Sequence, residues 1–185
     1  MRKIVGPVIA MLLAGPALAT GLVIEIEGEA NGTVVIDLLD DVAPEHVAQI
    51  AALASEGAYD GVVFHRVIEG FMAQTGDVRH GKAGGDMRRA GTGGSDRPDL
   101  KAEFSDIPFD RGVVGMARGG HSVDSANSQF FIMFEPVHQL NGDYTVVGRV
   151  TEGMDVVDAI KRGSPAANGV VTGAPDTMTS VTVTD

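Results

Sequence analysis

FHRVIEGFMAQTGD, residues 64–77, reads as two strands joined at a glycine. Strand alternation places Phe64, Arg66 and Ile68 on one face and His65 and Val67 on the other. Beyond Gly70, Met72 and Gln74 share a face. The acids Glu69 and Asp77 stand at the apparent turn and at the end. The stretch holds neither cysteine nor serine. Its chemistry must therefore come from groups such as an arginine and a glutamine.

The flanking segments extend the strand pattern. LVIEIEG (22–28) alternates apolar and acidic residues, and GTVVIDLLD (32–40) is β-branched and follows the turn-like Asn31-Gly32. Together they predict an opening hairpin. DDVAPEHVAQIAALASEGAYDG predicts a helix of about three turns. Asp41 is its candidate cap, Pro44 and Glu45 suit its first turn, Gly57 suits its end, and Val47, Ile50, Ala51 and Ala54 share a face. VVFHRVI (62–68), FMAQTGD (71–77), GVVGMAR (112–118), SQFFIMF (128–134), YTVVGRV (144–150) and TSVTVTD (179–185) read as further strands. GMDVVDAIKRG (153–163) reads as a second helix with Val156, Val157 and Ile160 on its apolar face. Residues 78–98 form a long Gly-, Arg- and Asp-rich loop. About eight short strands and two helices fit a sandwich or a closed barrel, and periodicity alone does not separate them.

The chain's 185 residues suit one domain, with no internal repeat or linker. A net charge of -11 argues against a nucleic-acid partner. The absence of cysteine excludes disulfides, thiolate catalysis and Cys-ligated zinc. MRKIVGPVIAMLLAGPALAT has the form of an exported leader: Arg2 and Lys3, a short apolar run, then Ala17-Leu18-Ala19. We read residues 1–19 as a signal peptide and 20–185 as the domain. Removing the leader takes Arg2 and Lys3 with it and moves the charge from -11 to -13.

Several patterns invite sharper readings. GKAGG and GTGG (91–94) are glycine-rich, but neither matches a Walker loop, and a flexible loop is the simpler reading. HSVDSANS (121–128) gathers His121, Ser122 and Asp124, yet no G-x-S-x-G turn is present, so a serine hydrolase is a weak third reading. The histidines lack HExxH spacing, and no metal or cofactor is expected. His65 reads as a hydrogen-bonded structural histidine. In SQFFIMF, Gln129, Phe131 and Met133 share a face, with Phe130 and Ile132 on the other. One side of the fold can thus collect Arg66, Met72, Gln74, Gln129 and Phe131. Taken alone, solvent exposure is the favoured reading for Arg66 and the glutamines.

FHRVIEGFMAQTGD, GTGG, the GMA of 115–117, SQFFI (128–132) and LNGDYTVVGRVTEGMDVV (140–157) change that weighting. In order and content they resemble the cyclophilin family of peptidyl-prolyl isomerases, over most of Val23–Asp185. The resemblance implies a mainly β fold: a closed eight-stranded antiparallel barrel capped by two α-helices. It places the catalytic arginine at Arg66, with Gln74 beside it in the catalytic pair. It places the substrate-binding positions at Phe71, Met72, Ala117, Arg118, Gln129, Phe131, Leu140 and Tyr144.

The sequence also departs from the best-known members. Arg118 stands for asparagine, Gln139 for tryptophan, Tyr144 for histidine and Glu69 for proline, and the segment GGHSVDSAN is longer. The first three and the longer segment bear on cyclosporin sensitivity and peptide preference. The implied partners are proline-containing polypeptides, with no stable membrane insertion after cleavage and a monomeric state. The leader and Tyr144 favour the bacterial periplasm. The alternative to an isomerase is a chaperone module that grips proline segments, with incidental turnover.

The resemblance has a physical logic. Amide rotation faces a barrier of ~18–20 kcal/mol, and X-Pro isomers exchange over roughly tens of seconds or longer. Twisting the amide localises the lone pair on the prolyl nitrogen. A donor aimed at that nitrogen gains strength only in the transition state, which is where catalysis needs it. An arginine suits the task because it stays protonated and presents fixed donors.

Overall fold

The computed structural model describes residues 20–184. The leader lies outside the described residues. The alternation of GLVIEIE forms β1 (Gly21–Glu27), burying Leu22, Ile24 and Ile26. β2 (Gly32–Leu38) returns antiparallel, pairing Leu22 with Ile36 and Ile24 with Val34. The opening hairpin is as expected.

α1 spans Pro44–Ser55 and buries His46, Val47, Gln49, Ile50, Leu53 and Ala54. Leu53 thus takes part in the buried face, whereas Ala51 is only half-buried. Asp41 does not cap the helix: the N-cap residue is Ala43, which has no side chain able to do so. The Glu103 carboxylate, from a distant loop, accepts instead from the backbone N–H of Glu45 and His46 at 3.3 and 3.1 Å. Its negative charge at this helix end is favourable for the same reason a cap is: the first-turn N–H groups have no partner within the helix.

The segment 62–68 is not one strand. It divides into β3 (Val62–Val63) and β4 (Arg66–Ile68). Between them Phe64 N–H donates to Asp176 O, and His65 O accepts from Val171 N–H, so neither residue continues the ladder. The break resets the alternation. Phe64 joins Val67 in the main core, while Arg66 is only half-buried; the expectation that Phe64 and Arg66 share a face fails here.

β5 (Met72–Thr75), β6 (Val113–Met116), β7 (Phe130–Met133), β8 (Val146–Glu152) and β9 (Thr177–Thr184) complete the sheet. All ladders are antiparallel, in the order β3-β9-β1-β2-β8-β6-β7-β5-β4. The architecture is therefore a nine-stranded curled sheet, not a closed eight-stranded barrel. Its two ends, β3 and β4, are halves of one segment, and no ladder joins them. α2 is short, Met154–Ala159, because Ile160 turns extended and Lys161 N–H is taken by the Asp176 carboxylate at 2.6 Å. The 78–98 loop contains one 3-10 turn, Met87–Arg89.

The sheet's interior holds the main core, which α1 and α2 join through Val47, Ile50, Leu53 and Val157. β7 serves both faces as its alternation requires. Phe130 and Ile132 enter the main core, while Phe131 and Met133 join Met72, Phe109, Val113 and Val146 in a second cluster. That second cluster is the floor of the site.

Candidate active site

Arg66 and Gln74 are cross-strand partners of β4 and β5, and Gln74 faces Phe131 across β5 and β7. The register brings the three side chains together as the sequence predicts. Arg66 Nη1 donates to Gln74 Oε1 at 3.0 Å, and Gln74 Nε2 donates to Gln129 Oε1 at 2.9 Å. Gln129 Nε2 in turn donates to the carbonyls of Gly91 and Gly93 at 3.1 and 2.7 Å. Each amide has its oxygen and nitrogen assigned by this directional chain.

The chain ends on Asp77. One carboxylate oxygen accepts from the N–H of Gly91 and Gly93 at 2.8 and 2.9 Å. The other accepts from Arg79 and His80 N–H at 3.1 and 2.8 Å. Asp77 is fully buried. Burial, the largest single influence, pushes its pKa up; the donors from His80, Gly93, Gly91 and Arg79 together outweigh it and hold the carboxyl below the usual value. GTGG is thus a turn wrapped around one carboxylate, with no strand-to-helix junction of the kind that cradles phosphate.

A second anchor reaches Arg66 from the other side. Arg66 Nε donates to the backbone oxygen of Asn168 at 3.1 Å, and Nη2 to Asn168 Oδ1 at 3.2 Å. Asn168 has φ of 52°, the sole positive value among the non-glycine residues described. Asparagine tolerates this left-handed conformation better than most residues. Three of the five guanidinium donors are engaged, which orients the plane and leaves others free.

The guanidinium borders an apolar pocket of about 100 Å³. Beside Arg66 and Gln74 the wall is Phe71, Met72, Ala117 and Phe131, closed by Leu140, Tyr144 and Arg118. Leu140 ends the 3-10 turn His138–Leu140. Phe131 and Tyr144 meet edge to face at 5.7 Å, with Phe109 stacked on Phe131 at 5.8 Å. Gln129 does not line this pocket; it lines a polar groove of about 330 Å³ alongside, which shares Gln74, Ala117 and Arg118 with the pocket.

Residues 22–183 match the family described as cyclophilin type peptidyl-prolyl cis-trans isomerase/CLD. The chain belongs to the cyclophilin family. A probable peptidyl-prolyl cis-trans isomerase of Brucella suis is 59% identical over 155 residues, covering 83% of this chain and 78% of that protein. Peptidyl-prolyl cis-trans isomerase B of Bacillus subtilis is 39% identical over 137 residues, covering 73% and 87%. A cyclophilin type isomerase from Cryptosporidium parvum shares the fold with a TM-score of 0.75 at 22% identity, covering 91% of this chain and 99% of that one. The chain is thus a cyclophilin-type peptidyl-prolyl cis-trans isomerase.

Other sequence readings resolve against this cyclophilin's geometry. His65 is buried, but neither ring nitrogen has a hydrogen-bond partner among the described residues, so it is not the hydrogen-bonded histidine expected. Burial, partly opposed by the Asp77 charge, lowers its pKa. It packs under the GTGG turn, where a Cβ at Gly91 would lie 2.9 Å from its ring. The hydrolase reading finds no triad: Ser122 Oγ accepts from Asp124 N–H, and Asp124 Oδ1 accepts from Ala102 N–H.

Two site residues escaped the sequence reading. Asp77 carried a signal only in hindsight, as an acid followed by a glycine-rich turn. Asn168 stands before Gly169, a turn-prone pair, but nothing local points it at Arg66. Asn168→Gly keeps the backbone carbonyl and the left-handed conformation and removes one acceptor. We expect kcat/KM to fall about threefold with the melting temperature nearly unchanged. Asn168→Ala should cost about 1 kcal/mol of stability as well, because alanine resists this φ. Peptide turnover and thermal melts on the two variants check both.

Proposed function

We propose that this cyclophilin accelerates rotation about X-Pro bonds in exported polypeptides as they fold, using Arg66 as a donor to the prolyl nitrogen. The observation that carries the reading is the placement of Arg66. An oriented guanidinium with unengaged N–H groups borders a pocket sized for a proline ring. Phe71, Met72, Phe131 and Leu140 would seat the ring, and excluding water there strengthens the arginine's contact. Gln74 would hold Arg66 in plane, and Ala117 would meet the peptide backbone. The reaction needs no nucleophile, since no covalent bond breaks. A cyclophilin type isomerase of Cryptosporidium parvum with a TM-score of 0.74 has been crystallised in the presence of the dipeptide Ala-Pro, which supports a proline-containing ligand. The leader pattern at residues 1–19 supports export to a periplasm, where the protein would act as a monomer.

The deciding experiment is isomer exchange in a short Ala-Pro peptide with the protein lacking residues 1–19. We expect exchange to become much faster than the uncatalysed time of roughly tens of seconds. A peptide that binds while its exchange rate stays unchanged would reject catalysis in favour of a proline-gripping chaperone. A pure gripping site has no use for a donor at the prolyl nitrogen, which is why Arg66 favours the enzyme.

A further inference from the structure

Arg118 has no carboxylate partner among its hydrogen bonds. Its Nε donates to the backbone oxygen of Asp143 at 3.1 Å and its Nη1 to Gly119 O at 3.4 Å. Its Cζ sits 4.6 Å from the centroid of the Tyr144 ring. Tyr144 is itself locked edge to face by Phe131 and Phe109, so the guanidinium rests on a fixed platform. These contacts orient the side chain without neutralising it, and they leave Nη2 unengaged.

The surroundings reinforce the charge. Arg66, on the same pocket, is likewise bound only by neutral groups. Arg79, on the adjoining groove, is paired with Asp96 at 2.5 Å and so contributes little. Asp99, the one carboxylate lining the groove, accepts from Asn127 Nδ2 at 3.0 Å. The pocket mouth therefore carries two unpaired guanidinium groups in a chain whose net charge is -11. Asp99 keeps its charge, since Asn127 is neutral, but it lines the groove and not the pocket. With a screening length of about 8 Å at ~0.15 M salt, a peptide at the pocket mouth meets the two guanidinium groups directly.

Arg118 lines both the proline pocket and the groove. A peptide whose proline fills the pocket must pass over Ala117 and Arg118 to reach the groove. We infer that Arg118 is a specificity-determining residue that favours substrates with an aspartate or glutamate at one of the two positions before the proline. A planar fork presenting free N–H groups suits a carboxylate, and it repels lysine or arginine at the same place. The inference rests on the isomerase reading and assigns it a substrate class.

The test uses peptides identical except for Glu, Gln or Lys immediately before the proline, and a second set varied one residue further away. In ~0.15 M salt we expect kcat/KM for Glu to exceed that for Lys about fivefold or more in at least one set, with Gln between, as for a half-exposed ion pair. Arg118→Gln should bring that ratio close to one. Arg118→Lys should restore most of it, because the charge returns. Thermal melts establish that the variants are folded. Equal rates for the wild-type protein on all peptides, or a ratio that survives Arg118→Gln, would overturn the inference while leaving isomerase activity standing. No turnover of any peptide would overturn both.

Discussion

If Arg66 is the proposed donor to the prolyl nitrogen, Arg66→Ala should lower kcat/KM on a proline peptide by about 10²–10³-fold, the usual effect of deleting a preorganised donor to a transition-state charge. The fold survives, because Arg66 is half-buried and its partners Gln74 and Asn168 remain near solvent. Circular dichroism and peptide exchange on one preparation separate the two effects. Arg66→Lys recovers little. A lysine ammonium is a point charge and cannot engage Gln74, both Asn168 acceptors and the prolyl nitrogen at once. Wild-type kcat/KM stays nearly flat across roughly pH 6 to 8, since arginine does not titrate there and His65 stands outside the mechanism. Turnover close to wild type in Arg66→Ala would remove Arg66 from the reaction.

Asp77→Asn should be strongly damaging for so conservative a change. The carboxylate accepts four backbone N–H groups, two on each oxygen. An amide keeps one acceptor and turns an NH₂ group toward the other pair. Two half-buried donors lose their partner, each at the low end of roughly 1–3 kcal/mol, so the loss is about 2 kcal/mol, still a sizeable share of a typical domain's stability. Activity falls as well, since Gly91 and Gly93 no longer hold Gln129. Denaturant midpoints and peptide turnover report the two losses together. The pH dependence follows the same group. Folding holds the Asp77 carboxyl below its unfolded value, so its stabilisation is complete above about pH 4 and is lost as pH falls through the folded pKa. The wild-type midpoint should therefore drop below about pH 4, and the drop should be smaller in Asp77→Asn, which has no carboxyl to protonate.

Much of the site was legible because it obeys strand periodicity. Phe131 and Met133 against Phe130 and Ile132 follows from a two-residue repeat, and nine of the ten site positions implied by the resemblance line one pocket, with Gln129 on the groove beside it. Three of the misses share one cause, a partner distant in sequence. Phe64 leaves Arg66's face because Asp176 and Val171 take the backbone of Phe64 and His65. Asp41 looks like a cap, but Glu103 supplies the acceptors for α1. Asn168 reaches Arg66 across 102 residues, and no local pattern encodes that contact. Local propensity describes what a segment can do, and these contacts decide what it does.

The division of residues 62–68 has a consequence for the order in which the molecule is made. β3 finds its ladder partner in β9, which begins at Thr177, and β9 also covers the flank of β1. Arg66 draws its second anchor from Asn168. A growing chain therefore carries Arg66 and its Gln74 partner early and the Asn168 anchor late. Until β9 arrives, the flanks of β1 and β3 stay open to stray pairing. The full set of contacts on Arg66 thus closes only after Asn168 has been made, so the site is completed near the end of synthesis.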